Sequence, residues 1–326
     1  MAMVLGATDT GKSTLSRYLV YRVFAAGLPA ALVDLDLGQS HLGPPTALGL
    51  GLFPPRFPGD DSLFPDALYF IGQTSPVGAV LEVTVGCRTL VDQALEQGVQ
   101  HVVVNTSGLV HGPAALRLKV SQAELLRPAH LLALARGREL DALLDAMGTY
   151  NDAPAVRLPV SARVVRKTPE ERRAYREARF RQYFARARRL DLPWDNLGWR
   201  GAPLGQGRPL QEAEVQRYRE VLDIPAVWGE ADGRRIILLV EEMAAAGPRP
   251  SPAENLVCVS WPSFAYRLVG LLDRRHRTLA LGLILPSPWS GREIPVLTPL
   301  PADQSAEVRF LHMGKVRVHP QGGEML

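Results

Sequence analysis

The octapeptide Gly6-Ala-Thr-Asp-Thr-Gly-Lys-Ser13 constrains the folding of this chain more than any other segment. It satisfies the pattern G-x-x-x-x-G-K-[ST], and its flanks complete a strand–turn–helix unit. Residues 1–5 are a short apolar run suited to a buried strand. Residues 14–26 read as a helix stopped by Gly27-Leu-Pro29. A glycine-rich turn between strand and helix aims backbone N–H groups and the positive end of a helix dipole at one point, where a polyphosphate is stabilised. In that arrangement Gly6, Thr8, Asp9, Thr10, Gly11, Lys12, Ser13 and Thr14 surround the phosphates of a nucleoside triphosphate. Lys12 reaches the β- and γ-phosphates, and the Ser13 hydroxyl ligates Mg²⁺. Lys12 is one of four lysines beside thirty-three arginines, and a slim point charge suits this position better than a planar guanidinium.

The 326 residues suffice for two domains or one large one. Hydrophobic content is 46%, and the mixed charge and the absence of low-complexity blocks indicate a globular chain. Two cysteines, Cys87 and Cys258, lie far apart in apolar contexts. They form neither a disulfide framework nor a zinc spacing, so a reducing cytoplasm is expected. No apolar run is long enough to span a membrane, and the N-terminus runs directly into the phosphate loop with no visible leader. Residues 163–189 hold eleven Arg or Lys against three acids, a net of +8 in a chain of net +4. Such a concentration fits either a solvated helix or a surface for phosphates.

Apolar strand candidates alternate with helical patterns. Strands are expected at residues 30–35, 67–71, 101–105, 130–135 and 155–160, with helices near 80–97, 113–126 and 139–146. This alternation predicts an α/β, doubly wound parallel sheet with ligands at the carboxyl ends of its strands. Thr168-Pro-Glu-Glu171 is a helix start, with Thr as cap, Pro at the first position and acids in the first turn. The helix is expected to run to about Arg189. Residues 191–209, rich in Pro, Gly and Trp, read as a linker. From there a short helix at 210–222 and strands at 235–241, 256–261, 267–273, 278–285, 294–297 and 308–318 predict a smaller β-rich domain. The expected organisation is therefore a phosphate-loop domain at 1–190 with a lid at about 163–189, a linker at 191–209 and a β-rich domain at 210–326.

Asp34-Leu-Asp36-Leu-Gly-Gln39 ends the second strand, beside the phosphate loop. Phosphoryl transfer needs a carboxylate there, to take a proton from the attacking hydroxyl or to hold the magnesium shell. Asp34 and Asp36 share a face if the strand stays extended, and only one of them need be catalytic. Gly72-Gln-Thr-Ser-Pro-Val-Gly78 follows the third strand, and its hydroxyls could grip phosphate oxygens. Asn105-Thr-Ser-Gly108 ends the next strand. Asn105 stands where many phosphate-loop proteins carry an aspartate, which shifts the acid function to Asp34 and Asp36.

Taken in order, residues 6–14, 36–39, 74–78, 105–108 and the arginine-rich stretch 172–184 resemble the polynucleotide 5′-hydroxyl kinases, the Clp and Grc type enzymes of RNA processing and their prokaryotic relatives. The resemblance spans residues 1–190 and is looser beyond. It implies that Lys12, Ser13 and Thr14 bind the triphosphate and Mg²⁺. It makes Asp36 the general base and a metal-shell ligand, with Gln39 nearby. Thr74 and Ser75, with Pro76 and Gly78, form the clasp on the acceptor. Arg172 and Arg166 are lid arginines over the transferring phosphate, and Arg176 faces the acceptor. Two departures stand out. Leu109 replaces a Trp that follows this motif in larger members, and only five residues precede Gly6, so the chain is either a minimal form or starts late.

The function expected on this basis is ATP-dependent phosphorylation of the 5′-OH of RNA, with DNA as a possible second acceptor and GTP as a partial substitute for ATP. Two other readings are an ATP-binding scaffold without catalysis and a switch-type NTPase. No membrane association is expected, and the sequence names no protein partner.

Overall fold

The alternating apolar segments of the first half form one seven-stranded sheet in the computed structural model, which describes residues 1–53, 64–148, 155–241, 255–289, 291 and 293–325. The chain divides into two units, Met1–Gln182 and Tyr183–Leu326. In the first, β1 (Ala2–Gly6) leads through the phosphate loop into α1 (Lys12–Ala25) and then β2 (Ala30–Asp34). There follow β3 (Ala47–Phe53), β4 (Ala67–Phe70), α2 (Val80–Glu96), β5 (His101–Asn105), α3 (Gly112–Leu126), β6 (His130–Ala135), α4 (Asp141–Met147), β7 (Ala155–Pro159) and α5 (Pro169–Phe184). The strand order is β4-β3-β2-β5-β1-β6-β7.

Strand periodicity sorts side chains between the two faces of this sheet. Val4, Leu32 and Val103 pack beneath Val20 of α1. Their neighbours Ala31, Val33, Val102 and Val104 pack on the opposite face against Val83, Cys87 and Leu90 of α2 and Leu118 of α3. After β1 the chain therefore crosses to one face, and after β5 to the other. The adjacent ends of β1 and β5 form the crevice where doubly wound sheets bind ligands.

The five strands β2, β5, β1, β6 and β7 are parallel, as expected. β3 was not anticipated, and it pairs antiparallel with both β2 and β4. Its sequence, Ala-Leu-Gly-Leu-Gly-Leu-Phe53, carries too much glycine for a clear strand signal. The glycine has a steric cause: a Cβ on Gly49 would sit 2.5 Å from the Leu42 carbonyl oxygen.

The second unit corrects the expected linker. Residues 191–209 include the second half of β8 (Arg188–Pro193), all of β9 (Gly198–Arg200) and β10 (Arg208–Pro209). Leu192, Trp194, Trp199, Ala202 and Leu204 are buried. The boundary accordingly falls at 182/183. Beyond it lie α6 (Glu212–Leu222), β11 (Ala226–Ala231), β12 (Ile236–Val240), β13 (Leu256–Ser260), β14 (Arg267–Leu272), β15 (Thr278–Ile284), β16 (Glu293–Thr298), β17 (Phe310–Val318) and β18 (Glu324–Met325). β14 and β15 form the expected hairpin, and β8 closes antiparallel on β16. Pro and Gly suggested a loop, but the apolar mass of the tryptophans between them decides the outcome. All five tryptophans of the chain gather here, with the Trp194 ring 4.5 Å from Trp289, 5.2 Å from Trp228, 5.3 Å from Trp199 and 6.4 Å from Trp261.

Truncating Trp194 to Ala should cost about 3–5 kcal/mol, the usual loss for a large aromatic in a packed core. Denaturant unfolding followed by tryptophan fluorescence measures it, and a loss under about 0.5 kcal/mol would restore the linker reading.

Candidate active site

The phosphate loop is shaped by what cannot fit. A Cβ on Gly6 would lie 2.6 Å from Thr10 Oγ1 and 2.8 Å from the Leu134 carbonyl, so only glycine allows the chain to turn there. Gly11 adopts φ +88° immediately before α1, a left-handed conformation that glycine takes without strain. No side chain caps α1, and its first turn contains no acid. Its leading N–H groups and dipole are thus left for an anion. Lys12 is buried, with Nζ donating to the Ala7 carbonyl at 2.7 Å, where Thr10 Oγ1 also donates at 2.9 Å. Burial holds the Lys12 ammonium below its usual pKa, against the opposing pull of Asp36, Asp9 and Asp34.

The two acids that follow β2 diverge. The strand ends at Asp34, so the extended geometry that would place both on one face does not continue to Asp36. Asp34 is 1% exposed. Its Oδ1 accepts from Asn105 Nδ2 at 2.9 Å and the Asp36 N–H at 3.1 Å, and its Oδ2 accepts from Ser40 Oγ at 3.1 Å and the His41 N–H at 2.8 Å. Burial, with the neighbouring Asp36 charge, raises its pKa. Asp36 instead lines the open cleft, with Oδ1 accepting the N–H groups of Gly38 and Gln39 at 3.0 and 2.9 Å.

That cleft, about 940 Å³ in volume, gathers most of the residues singled out from sequence. Thr8 through Thr14, Asp36, Gln39, Thr74, Ser75, Pro76, Arg172 and Arg176 all line it. Gly6 and Gly78 shape turns behind it rather than facing it; Gly78 has φ +80°. Arg166 is exposed and does not line the cleft, whereas Arg163 and Lys167 on either side of it do. Leu109 lines it where an aromatic was absent from the sequence motif.

A mobile-lid sequence is here a docked one. The Thr168 N–H donates to Glu171 Oε2 at 2.7 Å and the Glu171 N–H returns to Thr168 Oγ1 at 3.2 Å, the reciprocal cap that starts α5. Gln39 Nε2 donates to the Arg172 carbonyl at 3.2 Å, and Lys167 Nζ donates to Gln39 Oε1 at 3.3 Å. Tyr175 donates its hydroxyl to the Ser40 carbonyl at 2.8 Å, and Arg179 Nη2 donates to the Gly43 carbonyl at 2.9 Å. The +8 segment is therefore neither wholly solvated nor wholly open to phosphates. Some of its cations are consumed in holding α5 against the segment that carries Asp36.

Three features escaped sequence reasoning. Asn105 Nδ2 bridges Ser13 Oγ, at 3.1 Å, and Asp34, while its own Oδ1 is buried without a hydrogen-bond partner. Gly108 lets its loop press on the phosphate loop, since a Cβ there would lie 2.8 Å from the Thr8 nitrogen. Lys119 of α3 is fully buried, its Nζ donating to the Ser107 carbonyl at 2.9 Å and to Ser107 Oγ at 3.1 Å. Only its rarity as a lysine in an arginine-using chain could have drawn attention to it. Burial pushes its pKa down to about 7, with a contribution from the Lys12 charge.

A central strand, a glycine loop with a buried lysine, an uncapped helix start and carboxylates at the end of the parallel strand β2 define a P-loop nucleotide-binding protein. Residues 6–186 match the family described as mRNA cleavage and polyadenylation factor CLP1 P-loop. The chain is 30% identical over 324 residues to a polyribonucleotide 5′-hydroxyl-kinase of Pyrococcus abyssi, covering 99% of this chain and 89% of the relative. It is 26% identical over 324 residues to one from Methanocaldococcus jannaschii, covering 99% and 88%. A CLP1 homologue of Anopheles gambiae is 28% identical over 194 residues, 56% of this chain and 45% of that one. Among solved structures, Clp1p in its complex with Pcf11p superimposes with a TM-score of 0.61 at 13% identity, covering 97% of this chain and 74% of Clp1p. The chain belongs to the CLP1 P-loop family. No helix among the described residues is long and apolar enough to cross a membrane.

Lys119 makes stability depend on pH in a defined direction. Its folded pKa of about 7 lies below the ordinary 10.5, so between these values the unfolded chain binds a proton that the folded chain does not. The contribution of this group to stability therefore rises as pH rises through that window. In urea unfolding, the stability of Lys119→Met relative to wild type should fall steadily as pH rises from about 7 to about 9.5. A difference that stays constant would show that Lys119 keeps its proton when folded.

Proposed function

We propose that this protein is an ATP-dependent polynucleotide 5′-hydroxyl kinase that transfers the γ-phosphoryl group to the 5′-OH of RNA. The reading is carried by one observation: Lys12, the uncapped start of α1, Asp36 and the lid residue Arg172 face one cleft, whose wall also carries Thr74, Ser75 and Pro76. Phosphate-binding groups alone would suit any NTPase. A carboxylate free to take a proton and a second hydroxyl-bearing grip suit one that activates an acceptor hydroxyl. The 30% identity across nearly the whole chain to a polyribonucleotide 5′-hydroxyl-kinase supports RNA as the acceptor.

In this mechanism the N–H groups of residues 10–14 and Lys12 hold the triphosphate. The 5′-hydroxyl oxygen attacks the γ-phosphorus, the bond to the β-phosphate oxygen breaks, and ADP leaves. Asp36 accepts the hydroxyl proton. Asp34 is excluded from that role by its burial and its four donors. It orders the Asp36 loop instead. Ser13 Oγ would ligate Mg²⁺, with Asp36 and the orphaned Asn105 Oδ1 suited to its water shell. A Mg²⁺ held there would supply neutralisation of the triphosphate charge. Arg172 meets the charge that develops on the transferring group.

Donor and acceptor discrimination should be loose. The triphosphate grip reads no base edge, so GTP substitutes in part, and Leu109 offers no aromatic face to an acceptor base, so DNA serves as well as RNA in part. Purified protein with Mg²⁺, labelled ATP and a 5′-hydroxyl oligonucleotide tests the whole reading. No transfer of label to the oligonucleotide would refute it.

Two substitutions separate the roles. Lys12→Ala should weaken nucleotide binding and lower kcat together. Asp36→Ala should lower kcat by about 10²–10⁴ while leaving nucleotide affinity nearly intact. Near wild-type turnover in Asp36→Ala would remove it as the base.

Acceptor affinity should also fall with salt. Of the segment's cations, Arg163, Lys167, Arg172 and Arg176 line the cleft and Arg172 is paired with Asp9, so about two or three phosphates remain for the segment. For a single strand this gives a slope of about −1.4 to −2.1 in log K against log salt. A flat dependence would place the acceptor backbone elsewhere.

A further inference from the structure

A carboxylate in a loop built to hold phosphates works against the ligand, and Asp9 is such a carboxylate. It sits between Gly6 and Gly11 and lines the triphosphate cleft. Its backbone is left-handed, φ +53°, a conformation that Asp and Asn tolerate better than other non-glycine residues. Its Oδ2 accepts from Arg172 Nη2 at 2.6 Å and from the Lys167 N–H at 3.1 Å. Arg136 Nη2 donates to its backbone carbonyl. Burial would raise the Asp9 carboxyl, yet the bonds from Arg172 and Lys167 hold it below the ordinary value. The negative charge inside the phosphate loop is thus neutralised by the lid, and through the same contact the lid arginine is fixed above that loop.

We propose that Asp9 is a positioning residue: it anchors Arg172 over the phosphate loop and makes triphosphate affinity depend on closure of the segment 163–172. The inference rests on reading the cleft as a triphosphate site with Arg172 as its lid cation. With the lid away, Asp9 faces the incoming phosphates unscreened and repels them. With the lid docked, the charge is cancelled, and the remaining donors of the guanidinium fork can meet the γ-phosphate. Closure and triphosphate binding then favour each other reciprocally, as linkage requires. Gln39 extends the device, because it holds the Arg172 carbonyl from the loop that carries Asp36.

The test is a double-mutant cycle on Asp9→Asn and Arg172→Ala, read by two quantities. Asn fits the left-handed backbone and the space, so the substitution removes little but the charge. Affinity is measured by calorimetry with Mg²⁺ and a non-hydrolysable ATP analogue, and turnover with a 5′-hydroxyl oligonucleotide. Arg172→Ala should weaken the analogue about tenfold, because Asp9 is left bare. Adding Asp9→Asn should bring affinity back to within about threefold of wild type without restoring kcat. Asp9→Asn alone should keep its affinity and lose about tenfold in kcat, with faster amide hydrogen exchange across residues 166–172. A part that merely shapes the loop would lose affinity in every background. The proposal is overturned if the double variant binds the analogue as weakly as Arg172→Ala, or if Asp9→Asn alone retains full turnover. If wild type transfers no phosphate to the oligonucleotide, the kinase reading fails by itself. Analogue affinity and hydrogen exchange then still decide whether Asp9 and the lid are coupled.

Discussion

The amide of Asn105 is the interaction on which the site depends. Its Nδ2 donates to Ser13 at the start of α1 and to Asp34 at the end of β2, so one side chain at the end of β5 ties two neighbouring strand ends to the start of α1. The Thr106 hydroxyl adds a third tie, to the Val4 carbonyl of β1 at 2.8 Å. Parallel strands place their carboxyl ends side by side, but the pleat alone does not set side-chain geometry to within a few tenths of an ångström. Buried hydrogen bonds with low-dielectric surroundings do. An aspartate in place of Asn105 would set a second carboxylate against Asp34, and the two charges could not share that space without a proton.

Charge in the cleft is arranged by burial as much as by composition. Lys12 and Lys119 are both buried, burial lowers the pKa of each, and the Lys12 charge lowers that of Lys119 further. Asp34, Asp36 and Asp9 oppose that cost at Lys12. The balance would shift when a triphosphate enters. The site is accordingly held together by groups that are each slightly unfavourable alone, as is common where pKa values are tuned for chemistry.

The second unit solves a different problem. Five tryptophans in one cluster supply large apolar area from few residues, and the Trp261 indole N–H finds the Ser287 carbonyl at 2.8 Å. Two sheets share this core, since Ile237 and Leu239 of β12 pack with Val269 of β14 and Leu311 of β17.

By itself the sequence determined the phosphate loop, the helix that follows it, the five parallel strands and the start of α5. All of these are local: a pattern of glycines, a two-residue or 3.6-residue apolar period, and a Thr-Pro-Glu-Glu cap are legible without knowing what lies across the fold. Convergence of strand ends in a doubly wound sheet brought Lys12 and Asp36 together, while the resemblance to the polynucleotide kinases implied Thr74, Ser75 and Arg172 beside them. Only the tertiary structure decided the rest. β3 exists because Leu42 fills the room its glycines vacate, and residues 191–209 are core because their tryptophans meet partners up to ninety-five positions away. Asp34 became a support, Lys119 a buried cation and Asp9 the partner of Arg172, since burial and pairing depend on neighbours distant in sequence, and no local pattern encodes those neighbours.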